Sequence, residues 1–443
     1  MNKNYCIKLS YILIFIGFTY SIINSITDTI KYDKFRMASD GKEVHSIVRT
    51  DINQYWISAL NFKRDLEDGK GFFKSGSEIK HSYLYPRIIA SYFLIINHNI
   101  KENNRYILDN HKYGIPIIQS IIYYFLLIVL SKKLVNFFEP SISMYIIGFL
   151  SIEPTLLQYH SSYWTESIYL SFLVLLIYFL LDIKKNLFFT FVVGLMIGVS
   201  ALQRNVSLYL IFPILIYFLI VFKKDTLKPI FMCIIGYLLV ILFIGYSNFQ
   251  RSGEFFIIPY DQKQAGYVIL AHILNGESYE KKDFKRKKWI VDNNINLNDQ
   301  TDKIKLADYE HNYFKKSLMK NPIGFVKIHI WKSLQGLILN PFETKNAYKN
   351  DKTVPKYWEK YHYLYIYKIP YALLIYLICF IGLVTALKKN ETNISILILL
   401  VVGYYISILG WVGTSRYMVP NLIFLSIFFG FGLDSLTKYI FKK

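Results

Sequence analysis

The chain contains long runs of apolar residues, and these runs constrain its fold more than any other feature. About ten windows of roughly 17 to 22 residues are long enough to cross a bilayer as helices. They lie near 9–27, 115–131, 141–158, 165–182, 187–203, 205–222, 228–246, 367–387, 393–411 and 417–437. Because a helix satisfies its own backbone hydrogen bonds in lipid, the sequence predicts an all-α polytopic membrane protein with about ten transmembrane helices.

The charge distribution supports a membrane protein rather than a nucleic-acid-binding one. Hydrophobic residues make up 53% of the 443 residues, and the formal net charge is +20. The basic residues stand in short pairs between apolar runs, with a further group in one long hydrophilic segment. Pairs at the ends of membrane spans set topology. We therefore expect the lipid bilayer as a partner and no nucleic acid.

The basic pairs predict which side of the membrane each connection faces. With a cytoplasmic N-terminus, every short cytoplasmic connection carries lysines, as the positive-inside rule requires. These are Lys132 and Lys133, Lys184 and Lys185, Lys223 and Lys224, Lys388 and Lys389, and the tail residues Lys438, Lys442 and Lys443. An even number of spans returns the C-terminus to the cytoplasm. We expect an integral plasma (inner) membrane protein with both termini in the cytoplasm.

Two hydrophilic stretches fall on the outer side in this topology and divide the chain. The first outer loop, 28–114, contains a short aromatic and apolar run at 81–98 that we expect to form an interfacial helix. The second, 247–366, is long enough for a small extracytoplasmic domain, with helical patterns at 305–319 and 322–338. The predicted organisation is an N-terminal transmembrane module (1–246), this outer domain, and a C-terminal transmembrane module (367–443).

The first outer loop places an acid beside the bilayer. In SIVRTDINQYWISAL, residues 46–60, the spacing of Asp51, Tyr55 and Ala59 gives a helical face with the acid in its first turn. Asp51 is the candidate catalytic residue, and Tyr55 lies on the same face. The alternative is that Asp51 is a helix-capping acid that follows Thr50.

Other charged groups lie close to predicted membrane spans, where a charge is costly and therefore a functional candidate. These groups are Glu153, Glu166, Arg204 and Arg416, with Tyr417 directly after the last of them. In the predicted topology all of them share the outer side with Asp51. Gathered there, they would form a polar cavity for an anionic, lipid-linked substrate, with a phosphate held by the guanidinium of Arg416 or Arg204.

Each of these groups also has a structural interpretation. Glu166 follows Thr165 and suits the first turn of a helix. Arg204 and Arg416 would then mark membrane boundaries or pair with Glu166 or Glu153. His160 and His81 are interpreted as polar loop residues, since neither has a second metal ligand at helical spacing. No metal site is predicted.

Several short segments, taken in order along nearly the whole chain, carry a resemblance. They are TDINQYWISAL, YLYPRIIASYFL, YWTESIYLSFLVLL, GLMIGVSALQRNVSLYLIFP, YSNFQRSGEFFIIPYDQ, YFKKSLMKNPIGFVKIHIWKSL and SRYMVP. Together they resemble bacterial members of the GT-C superfamily of membrane glycosyltransferases. That broad group includes protein O-mannosyltransferases and the aminoarabinose transferases of lipid A.

The resemblance implies transfer of a sugar from a polyprenyl-phosphate donor to a glycan or lipid acceptor of the cell envelope, such as O-antigen, on the non-cytoplasmic face. Asp51 would match the catalytic base. A single carboxylate suits inversion at the anomeric carbon. Arg416, with Arg204 in reserve, would stabilise the departing phosphate, and Glu166 would orient the sugar or hold an arginine. No cofactor is expected to be required, and a divalent metal is left open.

Two other functions remain as alternatives. A flippase for lipid-linked sugars would have related halves and no large outer domain. An O-antigen polymerase or ligase would place its key arginines in large outer loops, with no need for an acid after the first span.

Overall fold

The protein is all-helical. The computed structural model describes residues 2–34, 50–75, 83–96, 113–160, 163–184, 186–253, 255–257, 271, 273–276, 279–296, 300–337, 364–409 and 418–441. No β-strand occurs within these ranges. The fold class predicted from the apolar windows is confirmed at this level.

The N-terminal half contributes ten helices to the described structure. They are α1 (Lys3–Lys34), α2 (Thr50–Glu67), α3 (Leu84–Ile95), α4 (Gly114–Phe137), α5 (Pro140–Ile152), α6 (Pro154–His160), α7 (Thr165–Leu181), α8 (Leu187–Gln203), α9 (Ile211–Phe222) and α10 (Leu227–Ser252). A short 3₁₀ segment, Asn205–Tyr209, joins α8 to α9. Asn186 caps the start of α8 by accepting a hydrogen bond from the Phe188 amide at 2.8 Å. Gly253, with φ of 76°, ends α10 in a left-handed conformation that favours glycine.

The described part of the C-terminal half contains six more helices. They are α11 (Tyr279–Asp292), α12 (Gln300–Lys320), α13 (Pro322–Leu337), α14 (Leu364–Lys388), α15 (Thr392–Leu409) and α16 (Pro420–Phe441). Helices α12 and α13 confirm the helical patterns expected at 305–319 and 322–338. Trp289 on α11 stacks on Tyr309 of α12, with ring centres 4.4 Å apart. Helix α13 contacts α15, because His329 Nε2 donates to the Ile406 carbonyl at 3.2 Å.

Six described helices are long and apolar enough to cross a membrane, and a seventh span is formed if α5 and α6 count as one bent segment. The six comprise α1, α4, α9 with its 3₁₀ segment, α10, α14 and α16. The remaining three predicted windows coincide with α7, α8 and α15, which are apolar but shorter. Several long apolar helices of this kind are typical of a membrane protein.

The bent segment is broken at Glu153, where the axes of α5 and α6 differ by 51°. Pro154 lacks an amide hydrogen, so it cannot bond the Leu150 carbonyl one turn earlier. Two tyrosines of α4 supply donors at the break instead. The Tyr123 hydroxyl donates to the Leu150 carbonyl at 2.9 Å, and the Tyr124 hydroxyl donates to the Ser151 carbonyl at 3.1 Å. Backbone polar groups at the break are thereby satisfied inside an apolar bundle.

Small residues allow close contact between two pairs of helices. On α8, Gly194 and Gly198 face α10, and a methyl group at Gly194 would overlap the Cys233 carbonyl. The same holds between α14 and α16, where a methyl group at Gly382 would overlap the Phe428 carbonyl. Close backbone approach through glycine is a common way for helices to associate in membranes.

Helices α2 and α3 form a layer that packs on the starts of α4 and α7. Its centre is aromatic: Trp56 on α2 lies 4.5 Å from the Phe93 ring of α3 and 5.8 Å from the Tyr163 ring just before α7. Ile115 of α4 and Ile168 of α7 belong to the same buried cluster. Helix α3 lies within the predicted interfacial run at 81–98. This layer packs the segment after α1 onto the starts of α4 and α7.

Ion pairs gather at the C-terminal ends of α4 and α7, away from the starts that contact the α2–α3 layer. Lys133 near the end of α4 pairs with Asp182, just after α7, at 2.7 Å. Glu139, between α4 and α5, accepts from Lys389 and from Lys438, each at 2.5 Å. Lys389 follows α14 and Lys438 lies near the end of α16. Lysines from three of the connections predicted to carry basic residues therefore take part in these ion pairs.

Candidate functional site

A buried ion pair forms the centre of the candidate site. Glu166, in the first turn of α7, is fully buried, and its Oε1 accepts from Arg204 Nη1 at 2.7 Å. The Thr165 hydroxyl donates to the other carboxylate oxygen at 3.0 Å. Gln203, next to Arg204, donates to the Thr165 carbonyl at 2.9 Å. The start of α7 and the end of α8 are thus joined by charge and by hydrogen bonds.

Hydroxyl groups extend this pair towards α15. The Arg204 guanidinium lies 5.8 Å from the Tyr169 ring centre. The Tyr169 hydroxyl is 2.5 Å from the Ser207 hydroxyl and also bonds to the Tyr405 hydroxyl of α15. All three hydroxyl-bearing residues are buried. The result is a polar network within an apolar surrounding, where each electrostatic interaction is stronger than in water.

Tyr85 of α3 connects the α2–α3 layer to α4. Its ring lies 5.4 Å from the Tyr55 ring of α2, and its hydroxyl accepts from Gln119 Nε2 of α4 at 3.1 Å. Burial raises the pKa of Tyr85 well above its usual value, with smaller contributions from Tyr163, Tyr55 and the Glu166 carboxylate. Tyr85 therefore packs against Tyr55 and is influenced electrostatically by Glu166.

Asp51 is the second residue of α2, one helical turn before Tyr55. This confirms the prediction that the acid stands in the first turn of a helix. The helix is held against α3, α4 and α7 by the aromatic layer described above. The side chain of Asp51 lies outside the described residues.

A second polar cluster surrounds the break in the bent span. The Glu153 carboxylate accepts from the Thr155 hydroxyl and from the Leu156 amide, each at 2.7 Å, and from the Tyr371 hydroxyl of α14. The expectation that His160 is a polar loop residue is wrong: it ends α6 and is fully buried. Its ring stacks on Tyr123 at 3.7 Å and its Nδ1 lies 3.1 Å from the Ser167 hydroxyl, so aromatic packing and α7 hold it in the interior.

Some of the predicted site residues are in contact in the structure, and others lie outside the described residues. Glu166 and Arg204 are in direct contact, which is the pairing that the structural interpretation of the arginine allowed. Tyr55 lies in the layer next to them. Arg416, Tyr417 and His81 lie outside the described residues.

Two arginines that sequence reasoning did not select lie near the ring of Tyr83, which directly precedes α3 and whose hydroxyl contacts α10. Arg87 of α3 is buried, and its guanidinium carbon lies 3.5 Å from the Tyr83 ring centre. The guanidinium carbon of Arg251, near the end of α10, lies 5.5 Å from the same ring centre. One signal was available: Arg87 is a cation within the apolar run YLYPRIIASYFL. Its closeness to Arg251 depends on the packing of α3 on α10, which no local pattern shows.

Comparison with known proteins adds no relative to this description. No model of a known protein family matches the chain, and no curated protein matches it significantly. The chain is a helical protein with six to seven candidate membrane spans. Its candidate site contains a buried charged pair at the start of α7 and the end of α8.

Proposed function

We propose that this protein is a membrane glycosyltransferase that moves a sugar from a polyprenyl-phosphate donor to a glycan or lipid acceptor of the cell envelope. The observation that carries the proposal is the α2–α3 layer. It packs the helix that bears Asp51 onto the start of α7, where Glu166 and Arg204 form a buried ion pair. An acid on an outer helix beside a charged, apolar-walled region suits chemistry on a lipid-linked substrate.

The proposed mechanism needs few groups. An acceptor hydroxyl has a pKa far above neutrality, so a carboxylate must take its proton as the new bond to the anomeric carbon forms. Asp51 is the proposed base. The bond between the anomeric carbon and the phosphate oxygen breaks on the opposite face, and the configuration inverts. Arg416, with Arg204 in reserve, would stabilise the phosphate that leaves, and Tyr417 and Tyr55 would contact the substrate.

The contact between Glu166 and Arg204 favours an indirect role for this pair. Arg204 Nη1 donates to the Glu166 carboxylate, and the bond from Gln203 to the Thr165 carbonyl joins α8 to α7 beside it. We propose that Glu166 fixes Arg204 and so shapes the sugar end of the site. This arrangement also leaves Arg416 as the preferred ligand of the donor phosphate.

The proposed topology has ten spans, a GT-C-like arrangement and both termini in the cytoplasm. The three spans beyond the long ones would be α7, α8 and α15. In support, Lys133 pairs with Asp182 just after α7, and Lys389 pairs with Glu139, whereas Glu166 lies at the start of α7 beside Arg204. The site would then face the periplasm or the cell exterior.

The test is transfer of radiolabelled sugar from a panel of polyprenyl-phosphate sugars by membranes that contain the wild type or Asp51→Asn. We expect transfer from one donor, with the rate lowered about 100-fold or more in Asp51→Asn, because a general base contributes roughly that much. Asp68→Asn is the matched control, since Asp68 is an exposed acid just after the same helix; it should transfer at the wild-type rate.

Two outcomes would contradict the proposal. Wild-type activity in an Asp51→Asn protein that inserts normally would remove Asp51 as the base. Movement of label across the bilayer without transfer from any donor would remove the enzyme function and favour a flippase.

A further inference from the structure

Arg87 is a buried cation with unused hydrogen-bond donors. Its side chain is 8% exposed, and Nη1 donates to the Tyr83 carbonyl at 2.8 Å. Its Nε and Nη2 atoms are buried and have no hydrogen-bond partner. No carboxylate pairs with Arg87 in the parts of the chain that the structure describes. A buried charge is costly unless it is paired, so an anion bound to this arginine would offset the cost of its burial.

Arg251 adds a second positive charge beside the same tyrosine. The Tyr83 hydroxyl lies 2.9 Å from the Ser247 hydroxyl of α10, one turn before Arg251. Arg251 donates from Nε to the Ser247 carbonyl at 3.2 Å and from Nη2 to Asn248 Oδ1 at 2.5 Å. These bonds fix the guanidinium near Tyr83. Burial lowers the pKa of Arg87, and the charge of Arg251 acts in the same direction. An anion bound at Nε and Nη2 of Arg87 would offset both effects.

Aromatic rings lie beside the two arginines, and some of the rings in this region are partly exposed. The Arg87 guanidinium lies 4.6 Å from the Phe62 ring centre and 5.7 Å from that of Phe72. Phe73 lies 5.4 Å from the ring centres of both Phe243 and Tyr246 on α10. Phe72 is 45% exposed and Tyr246 is 49% exposed. Partly exposed aromatic residues at the end of an apolar helix are typical of the membrane–water interface.

We propose that Arg87 and Arg251 form a binding site for a phosphate group at the membrane interface, between α3 and α10. The unpartnered Nε and Nη2 of Arg87 provide parallel N–H donors in the geometry that phosphate oxygens accept, and Arg251 adds a second positive charge near the same ring. The surrounding rings suit the first carbons of a lipid tail. For the identity of the lipid the inference rests on the proposed function, whose donor carries such a phosphate; Arg87 and Arg251 would hold that phosphate together with Arg416.

The test measures binding directly, without sugar transfer. Purified full-length protein in detergent is titrated with radiolabelled polyprenyl monophosphate, and the wild type is compared with Arg87→Gln and Arg251→Gln. We expect each variant to bind about 10-fold to 100-fold more weakly, because each loses charge-assisted hydrogen bonds. Arg64→Gln is the matched control, an exposed arginine at the end of α2, and should bind as the wild type does.

Competitors distinguish the source of the phosphate. Displacement of the label by polyprenyl phosphate alone assigns the site to the lipid donor. Displacement by phosphatidylglycerol vesicles assigns it to a phospholipid headgroup, and displacement by inorganic phosphate assigns it to the free ion. Equal displacement by polyprenol, which has no phosphate, would overturn the proposal, as would unchanged affinity in Arg87→Gln.

Folding and activity are separated by two further measurements. If Arg87→Gln does not fold, Arg251→Gln and the charge-retaining Arg87→Lys decide the outcome, with tighter binding expected in Arg87→Lys than in Arg251→Gln. Wild-type protein that binds polyprenyl phosphate but transfers no sugar would remove the proposed function and keep the phosphate site. Unchanged binding in both arginine variants, together with active transfer, would remove the phosphate site and keep the proposed function.

Discussion

The ion pair of Glu166 and Arg204 is the clearest case in this molecule of a charge that needs its partner. The carboxylate is fully buried and the guanidinium is 9% exposed, so neither group has bulk water as an alternative. A buried pair contributes little net free energy compared with two apolar residues, whereas the loss of one partner leaves an uncompensated charge in the interior. The two residues should therefore behave as one unit.

This leads to a prediction about stability. We expect Glu166→Gln alone and Arg204→Met alone each to lower the free energy of unfolding by about 3 to 5 kcal/mol. The double variant should lose less than the sum, because no isolated charge remains. The measurement is a thermal or denaturant unfolding series on detergent-purified protein.

The control for this series is a pair on the surface. Lys70 pairs with Asp65 at 2.5 Å, but its side chain is 55% exposed, so Lys70→Gln should change stability far less than either buried substitution. Additive losses in the Glu166 and Arg204 double variant would show that the two residues act independently.

At the scale of the helices, glycine determines which neighbours approach closely. Gly194 and Gly198 lie one turn apart on α8, so both face α10, and Gly236 of α10 approaches the Phe191 carbonyl of α8 in return. The GLMIGVSALQR segment therefore has two structural roles. Its glycines set the distance between α8 and α10, and its arginine closes the ion pair at the end of α8.

Two glycine substitutions test this interpretation. Gly194→Ala places a methyl group against the Cys233 carbonyl, and we expect a loss of about 1 to 3 kcal/mol in the free energy of unfolding from overpacking. Gly403→Ala on α15 meets no atom within 4 Å, so it should be neutral or stabilise the helix by up to about 1 kcal/mol. Unfolding curves of the two purified variants give the comparison. A Gly194→Ala protein as stable as Gly403→Ala would mean that α8 and α10 are not held in close contact.

At the scale of the whole molecule, the two ends of the bundle differ in chemistry. One end contains lysines paired with Glu139 and Asp182, with Glu139 partly exposed to solvent. The other contains the buried Glu166–Arg204 pair beneath the α2–α3 layer. The first arrangement joins helix ends that are far apart in sequence, and the second forms an enclosed polar region.

The exposed ion pairs predict a dependence of stability on pH. Hydrogen bonds from Lys389 and then Lys438 lower the pKa of Glu139 to about 2. A carboxyl group whose pKa is lower in the folded state than in the unfolded state, where it is about 4.3, stabilises the fold above that value. Its contribution is lost as the pH falls from about 4.3 through about 2.

Glu139→Gln is the corresponding variant. We expect it to be less stable than the wild type at pH 7 by about 1 kcal/mol or less, because Glu139 is 49% exposed and solvent screens the pair. The difference should narrow towards pH 2, as measured by thermal unfolding at several pH values. Asp225→Asn, an exposed acid between α9 and α10, serves as the control. A difference that widened on acidification would contradict the assignment.

The sequence allowed the helices to be predicted well, since membrane spans depend on local hydrophobicity. Every apolar window coincides with a described helix, and Asp51 lies in the first turn of α2. Burial of His160 was not predicted, because it depends on Tyr123 and Ser167 from two other helices. The proximity of Arg87 to Arg251 was missed for a similar reason: the Tyr83–Ser247 bond that joins their helices links residues 164 positions apart. Contacts over such separations require the packed structure.

The break at Glu153 has a consequence for how the protein is made. The Leu150 and Ser151 carbonyls would be unsatisfied in lipid without the Tyr123 and Tyr124 hydroxyls, so the α5–α6 segment depends on α4. Because α4 precedes α5 along the chain, a ribosome releases both tyrosines before the segment that needs them. The broken span can thus partition into the bilayer beside a partner that is already there, and the order of synthesis matches the order of dependence.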